Sequence, residues 1–250
     1  MIIISEEIVK AAVLIKEYKS SRIEREIISK MDSGKEVYEY NYVEQLYFEL
    51  KMRKAIVHSA IKLNKSYLAF KIFNESKCNE TYWNRTMEGG FILKKGMMAS
   101  EAIRDISLNS YKYGTECSTA MIIIYYQALL DVFSEELFNE LFAKIHLMNW
   151  HYINNILEEA GFLIKRRNYL PGDRRYFANP DVKPTKPEWQ GENVIDLGNG
   201  LYFGHGIGIG DSDEIIYALN KYRVEGARRI AYLVDSAAVL DFKKLASIAN

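Results

Sequence analysis

Tyr113-Gly114-Thr115-Glu116-Cys117-Ser118-Thr119-Ala120 runs directly into Met121-Ile122-Ile123-Ile124-Tyr125-Tyr126. A glycine-containing loop turns here into a helix, predicted over residues 117–133, that is apolar nearly all round. A helix without a polar face is expected in the centre of a molecule. Its rigid N-terminus would hold Cys117 in place. Unpaired N–H groups at a helix N-terminus favour an anion. The thiolate is the reactive form of cysteine, and such a position lowers the thiol pKa from its free value of about 8.5. Cys117 is therefore a candidate nucleophile. The plainer alternative is a small apolar residue heading a core helix. Glu116 opposes a thiolate if it lies close, and helps if it moves protons. Cys78, in the polar run Glu75-Ser76-Lys77-Cys78-Asn79-Glu80, has no comparable setting and reads as a surface thiol.

A cysteine nucleophile needs a partner that moves protons. Glu192 lies in Trp189-Gln190-Gly191-Glu192-Asn193, just before a predicted strand. His205 lies in Phe203-Gly204-His205-Gly206-Ile207-Gly208, just after one. Between them Gly198-Asn199-Gly200 signals a hairpin turn. Both side chains are expected to face one cleft. Taken alone, each has an ordinary reading, as a loop carboxylate and as a turn residue. The glycine series Gly204, Gly206, Gly208, Gly210 is not a dinucleotide fingerprint, because Ile209 and Asp211 stand where GxGxxG requires its last glycine.

Outward from these segments, the first region reads as mainly helical. Val43, Leu46, Tyr47, Leu50, Val57 and Ile61 recur at helical spacing. Residues 81–86 and 91–93 flank Met87-Glu88-Gly89-Gly90 and read as a hairpin. A short helix is expected over 100–107, and Ser134-Glu135-Glu136 caps another. The four prolines all fall between Pro171 and Pro187, so that stretch is expected to be loop-rich. Strands are predicted at 175–177, 193–197, 201–203 and 230–234. Asp211 with Glu214 opens a helix to about residue 223, and a last helix covers 239–248. Helices first and strands later indicate α+β, an antiparallel sheet packed against helices, within one domain spanning 1–250.

Composition removes several function classes. Lys and Arg total 33, as do Asp and Glu, so no net charge steers the chain to nucleic acid or to an anionic membrane. The basic clusters Lys165-Arg166-Arg167, Arg174-Arg175 and Arg228-Arg229 are short and read as solvated faces. Met1-Ile2-Ile3-Ile4 lacks a basic n-region and is too short for a signal peptide. Residues 120–133, broken by Gln127 and Asp131, fall short of the roughly 20 needed to span a bilayer. Synthesis in the cytosol without export is expected. Two cysteines without a CxxC pair, and four histidines without metal spacing, make a metal site unexpected.

The ordered set of motifs resembles the small protein-glutamine gamma-glutamyltransferase of endospore formers, the spore-coat transglutaminase. The likeness runs through Phe48-Glu49-Leu50-Lys51, Thr81-Tyr82-Trp83, Ala102-Ile103-Arg104-Asp105-Ile106, Glu116-Cys117 with Thr119-Ala120, and Ile123-Ile124-Tyr125-Tyr126. It continues in Trp150-His151-Tyr152, Tyr176-Phe177 with Asn179-Pro180, Trp189 with Gly191-Glu192-Asn193-Val194-Ile195, and His205-Gly206.

The resemblance implies a compact papain-like fold and a calcium-independent acyltransferase with no cofactor. It implies Cys117 as nucleophile, Glu192 as its main carboxylate partner, Glu116 as a partial substitute, and His205 near the site in a less settled role. An aromatic tunnel around the cysteine follows, with Trp150 and Trp189 as its candidate lining. The implied reaction joins glutamine and lysine side chains of spore coat proteins by ε-(γ-glutamyl)lysine bonds. The enzyme would be made in the mother cell and then reside in the coat. Asn149 departs from the family, where Asp is expected before Trp-His-Tyr. Two other readings compete: a papain-like cysteine peptidase or amidase that releases the thioester to water, and a non-catalytic coat scaffold, which 18 tyrosines would suit.

Overall fold

The computed structural model describes residues 1–249. The opening apolar run forms β1 (Ile2–Ile4), antiparallel to β2 (Glu7–Val9). Two helices follow, α1 (Ala11–Glu17) and α2 (Arg22–Ser33), the second opened by a capping box between Ser21 and Glu24. β3 (Tyr38–Tyr40) then lies parallel to β1. This small sheet was not expected from the sequence. Its strands are three residues each, too short to show an alternating pattern.

The stripe beginning at Val43 forms α3 (Val43–Asn64). After β4 (Ala69–Phe70), the expected hairpin is made by β5 (Trp83–Arg85) and β6 (Phe91–Leu93). The short helix α4 (Ala99–Leu108) leads to β7 (Gly114–Thr115), which runs parallel to β4. Cys117 is the first residue of α5 (Cys117–Val132). Ser134 caps α6 (Glu135–Leu141), its hydroxyl accepting from the Leu137 N–H, and β8 (His146–Leu147) joins β6.

The second half supplies the main sheet. β9 (Arg174–Ala178), β10 (Gly191–Gly198), β11 (Leu201–Gly204), β12 (Gly208–Asp211) and β13 (Tyr232–Leu233) are all antiparallel, in the order β12-β11-β10-β9-β13. Gly198, Asn199 and Gly200 all have positive φ in the β10–β11 turn, the backbone that the turn chemistry requires. α7 (Ser212–Asn220) is opened by the Asp211–Glu214 capping box. It ends three residues short of the expected 223. The strand predicted at 230–234 is only two residues long, and α8 (Phe242–Ala249) starts later than expected.

α5 is the axis of this α+β arrangement. Ile122, Ile123 and Ile124 are all fully buried, which consecutive helical residues can be only when neighbours surround the helix. Met52 and Ile56 of α3, Ile195 of β10, Phe203 of β11 and Leu245 of α8 share its core. At about 2 kcal/mol for each fully buried isoleucine, this packing anchors the helix and the residue at its head.

Two readings of individual residues need correction. Arg174 and Arg175 are not a solvated face; they are 2% and 4% exposed. β9 is an inner strand between β10 and β13, and both arginines find hydrogen-bond partners inside the protein. Arg175 donates to the Ser236 and Val234 carbonyls and lies over the Tyr169 ring. Cys78 is not a surface thiol but packs against the main core, and burial pushes its pKa to about 11.

Candidate active site

The chain approaches Cys117 along β7, whose neighbour β4 fixes its course. It leaves strand geometry at Glu116 and enters α5. Glu116 is the N-cap. Its carboxylate accepts from the Ser118 N–H at 2.6 Å, the Thr119 N–H at 2.7 Å and the Ser118 hydroxyl at 2.5 Å. The Thr119 hydroxyl accepts in turn from the Asn149 N–H at 2.9 Å, tying the loop before Trp150 to the head of α5. Asn149 has φ 35°, a left-handed backbone that asparagine tolerates. Its side-chain oxygen accepts from the His151 N–H at 2.8 Å and faces His151 Nδ1.

β10 carries the candidate carboxyl partner. Glu192 has no exposed surface. The Gly206 N–H donates to its Oε1 at 3.4 Å, and Oε2 has no hydrogen-bond partner among the described residues. Burial, reinforced by the charge of Glu116, pushes the Glu192 pKa up to about 8. The glycines nearby are there for space. A Cβ on Gly204 would lie 2.7 Å from Glu192 Cγ, and one on Gly206 3.0 Å from both Phe70 and Trp189.

The thiol does not follow the expectation of a lowered pKa. Burial first, then the charges of Glu192 and Glu116, push the Cys117 pKa well above its ordinary value. The helix N–H groups meant to stabilise a thiolate are occupied by Glu116. The Asn193 backbone N–H and side-chain amide pull the other way, with Nδ2 3.5 Å from Sγ. Near neutral pH the pair rests as a thiol beside a largely protonated carboxyl. Ionising Glu192 creates a base coupled to that thiol.

His205 is brought beside Glu192, but through its backbone. Val194 pairs with Gly204, so the chain just past β11 passes the Glu192 carboxyl, and the N–H groups of His205 and Gly206 face it. The imidazole faces elsewhere: Nε2 lies 3.2 Å from the Ala69 carbonyl oxygen, with the Thr115 carbonyl as second neighbour. Burial lowers its pKa to about 4, so the ring is neutral at pH 7.

Cys117 opens onto a cavity of about 790 Å³ whose wall includes Phe73, Trp150, Leu163, Tyr176 and Pro187, with Glu116, Arg174, Glu188, Gln190 and Asn193 as polar groups. That volume accommodates an extended side chain and part of its backbone. Trp150 is on this wall. Trp189 is not; it stacks on Tyr222 with ring centroids 4.2 Å apart, next to Phe70. The sequence did not single out Asn193 or Arg174 for the site. Asn193 was visible beside Glu192, whereas an arginine pair in a short strand gives no sign of burial. Among the described residues no group of three or more His, Cys, Asp or Glu side chains is arranged to hold a metal ion, and no helix is long and apolar enough to cross a membrane.

Known proteins similar to this chain share one described activity. A sequence model for protein-glutamine gamma-glutamyltransferases matches residues 1–249. A protein-glutamine gamma-glutamyltransferase of Bacillus cereus (strain B4264) is 42% identical over 254 residues, covering 100% of this chain and 90% of its own length. One from Bacillus anthracis (strain CDC 684 / NRRL 3495) is 43% identical over 245 residues, covering 96% and 86%. The solved transglutaminase from Geobacillus stearothermophilus, without its C-terminal extension, superposes with a TM-score of 0.78 at 43% identity, covering 83% of this chain and 98% of that one. The chain belongs to the protein-glutamine gamma-glutamyltransferase family and is an acyltransferase that cross-links proteins.

Proposed function

We propose that this enzyme links glutamine and lysine side chains of spore coat proteins through a thioester on Cys117, with Glu192 as the proton carrier. The observation that carries this reading is the electrostatic coupling of a cavity-facing thiol to a fully buried carboxyl whose pKa is raised to about 8. A carboxyl tuned near neutral pH can take a proton and return it. The spore coat as destination rests on the resemblance to the coat enzyme. A single catalytic domain fits the family match over residues 1–249.

The chemistry runs as follows. Glu192 carboxylate takes the Cys117 proton, and the sulfur pair attacks the carboxamide carbon of a substrate glutamine. The C=O π pair moves onto oxygen. When it returns, the C–N bond breaks, and the leaving nitrogen takes the proton from Glu192 and departs as ammonia. A neutral lysine amine then attacks the thioester. Its surplus proton passes to Glu192, the C–S bond breaks, and the sulfur recovers that proton. The product is the isopeptide, and the enzyme is unchanged. Glu116 is the reserve base, though its carboxylate must first leave the N–H groups that it caps. The apolar part of the wall, including Trp150, favours a lysine stem over water.

Incorporation of a fluorescent primary amine into a glutamine-bearing protein tests these roles. Cys117→Ala should abolish it. Glu192→Gln should lower the rate at least about a hundredfold, and Glu116→Gln should deepen the loss. Full activity in Glu192→Gln together with a dead His205→Ala enzyme would replace this account with a cysteine–histidine pair.

A further inference from the structure

Both carboxyls near Cys117 oppose a thiolate, and the helix end does not offset them. The N–H groups of Ser118 and Thr119, which would stabilise an anion at the head of α5, donate to Glu116 instead. Negative charge on the sulfur, and later on the substrate oxygen, needs another donor. Asn193 supplies it from β10. The residue is 8% exposed, and Nδ2 lies 3.5 Å from Sγ.

An amide can present either its oxygen or its nitrogen to a neighbour, and Arg174 decides which. Arg174 Nη1 donates to Asn193 Oδ1 at 2.5 Å. A guanidinium has no acceptor, so the oxygen must face it, which leaves the NH2 group for Cys117. Arg174 is itself held in place. Nε donates to the Ala160 carbonyl at 3.0 Å, and the guanidinium lies 4.2 Å from the centre of the Trp150 ring. These partners are an amide, a carbonyl and an aromatic ring; none is a carboxylate. The guanidinium of a residue that is 2% exposed, without a carboxylate in these contacts, is costly to bury. Its positive potential falls first on the Tyr125 hydroxyl, which it also contacts, and then on the neighbouring cysteine.

We infer that Asn193 is a catalytic residue whose side-chain amide donates to the charge developing at Cys117, and that Arg174 is the positioning residue that orients this amide and polarises it. The inference rests on the roles proposed above for Cys117 and Glu192. The proton that leaves sulfur goes to Glu192, the electron pair stays on sulfur, and Asn193 keeps both amide protons throughout.

The test is the rate of iodoacetamide alkylation across about pH 6 to 10 in a Cys78→Ser background, where Cys117 is the sole thiol. Asn193→Ala should slow alkylation at neutral pH about tenfold or more and move the profile to higher pH. Arg174→Met should move it the same way, and the double variant should add little, because one substitution already breaks the relay. Arg174→Lys should recover part of the loss, since an ammonium still donates but without the fixed fork. In steady state, kcat for Asn193→Ala should fall about a hundredfold with KM changed little. Should Asn193→Ala unfold, Asn193→Asp keeps the shape while removing the donor, and it should also alkylate slowly. An unchanged profile in either Asn193 variant, or fully additive losses in the double variant, would overturn the inference. Alkylation uses no glutamine or lysine substrate. Persistent amine incorporation by Cys117→Ala would instead sink the proposed function, so the two failures are separable.

Discussion

Glu192, the proposed proton carrier, is the residue whose burial bears most directly on that proposal. Its pKa of about 8 in the folded chain compares with an ordinary value of 4.5. Between these values the folded state holds a proton that the unfolded state has released. Stability is therefore fully present below about pH 4.5 and is lost as pH rises through about 8, by on the order of 5 kcal/mol in total. Glu192→Gln removes this loss. Thermal melts of the variant should stay flatter than those of the native protein over this window. A native melting temperature that rises relative to the variant over the same window would contradict the buried-acid account. Activity should move in the opposite direction. As the base form of Glu192 appears, the rate of thioester formation should climb towards about pH 8, a limb missing in Glu192→Gln.

At the scale of elements, the site is where the head of one helix meets the end of one hairpin. α5 supplies Cys117 and its cap Glu116, β10 supplies Glu192 and Asn193, and the chain leaving β11 supplies the N–H groups of His205 and Gly206. Gly204 makes this close approach possible. Gly204→Ala should place a methyl 2.7 Å from Glu192 Cγ and 2.9 Å from Oε1, displacing the carboxyl. Amine incorporation should fall about tenfold or more while circular dichroism stays native, since a small misplacement of the proposed proton carrier is costly. An active Gly204→Ala enzyme would mean that the carboxyl position is not critical. The hairpin was legible because Gly198-Asn199-Gly200 announces its turn. The direction of the His205 imidazole was not, because the carbonyls it faces lie on β4 and β7, distant in the chain.

Across the whole molecule, a buried ionic cluster joins the two halves of the chain. Arg53 on α3 donates to Glu49 and to Asp173, each at 2.7 Å, and to the Pro171 carbonyl at 3.1 Å. Tyr40 of β3 donates to Glu49 at 2.8 Å, so the first sheet, the long helix and the approach to β9 are coupled. Arg53→Met leaves Glu49 and Asp173 buried without their cation. It should cost about 3–5 kcal/mol in urea unfolding. A loss below about 1 kcal/mol would show that water or rearrangement compensates.

The sequence by itself determined the central helix, the position of its cysteine, the principal hairpins and the α+β class. Each of these is written locally, in apolar periodicity, cap residues and turn glycines. The ordered motifs also carried the family. Only the tertiary structure decided the electrostatics. The helix end that sequence logic assigned to a thiolate is spent on Glu116, Arg174 and Arg175 are buried rather than solvated, and Trp189 turns to Tyr222 instead of the cavity. Hydrophobic pattern depends on neighbours along the chain. Desolvation and charge coupling depend on neighbours in space, and the residues that surround Cys117 come from segments far apart in sequence.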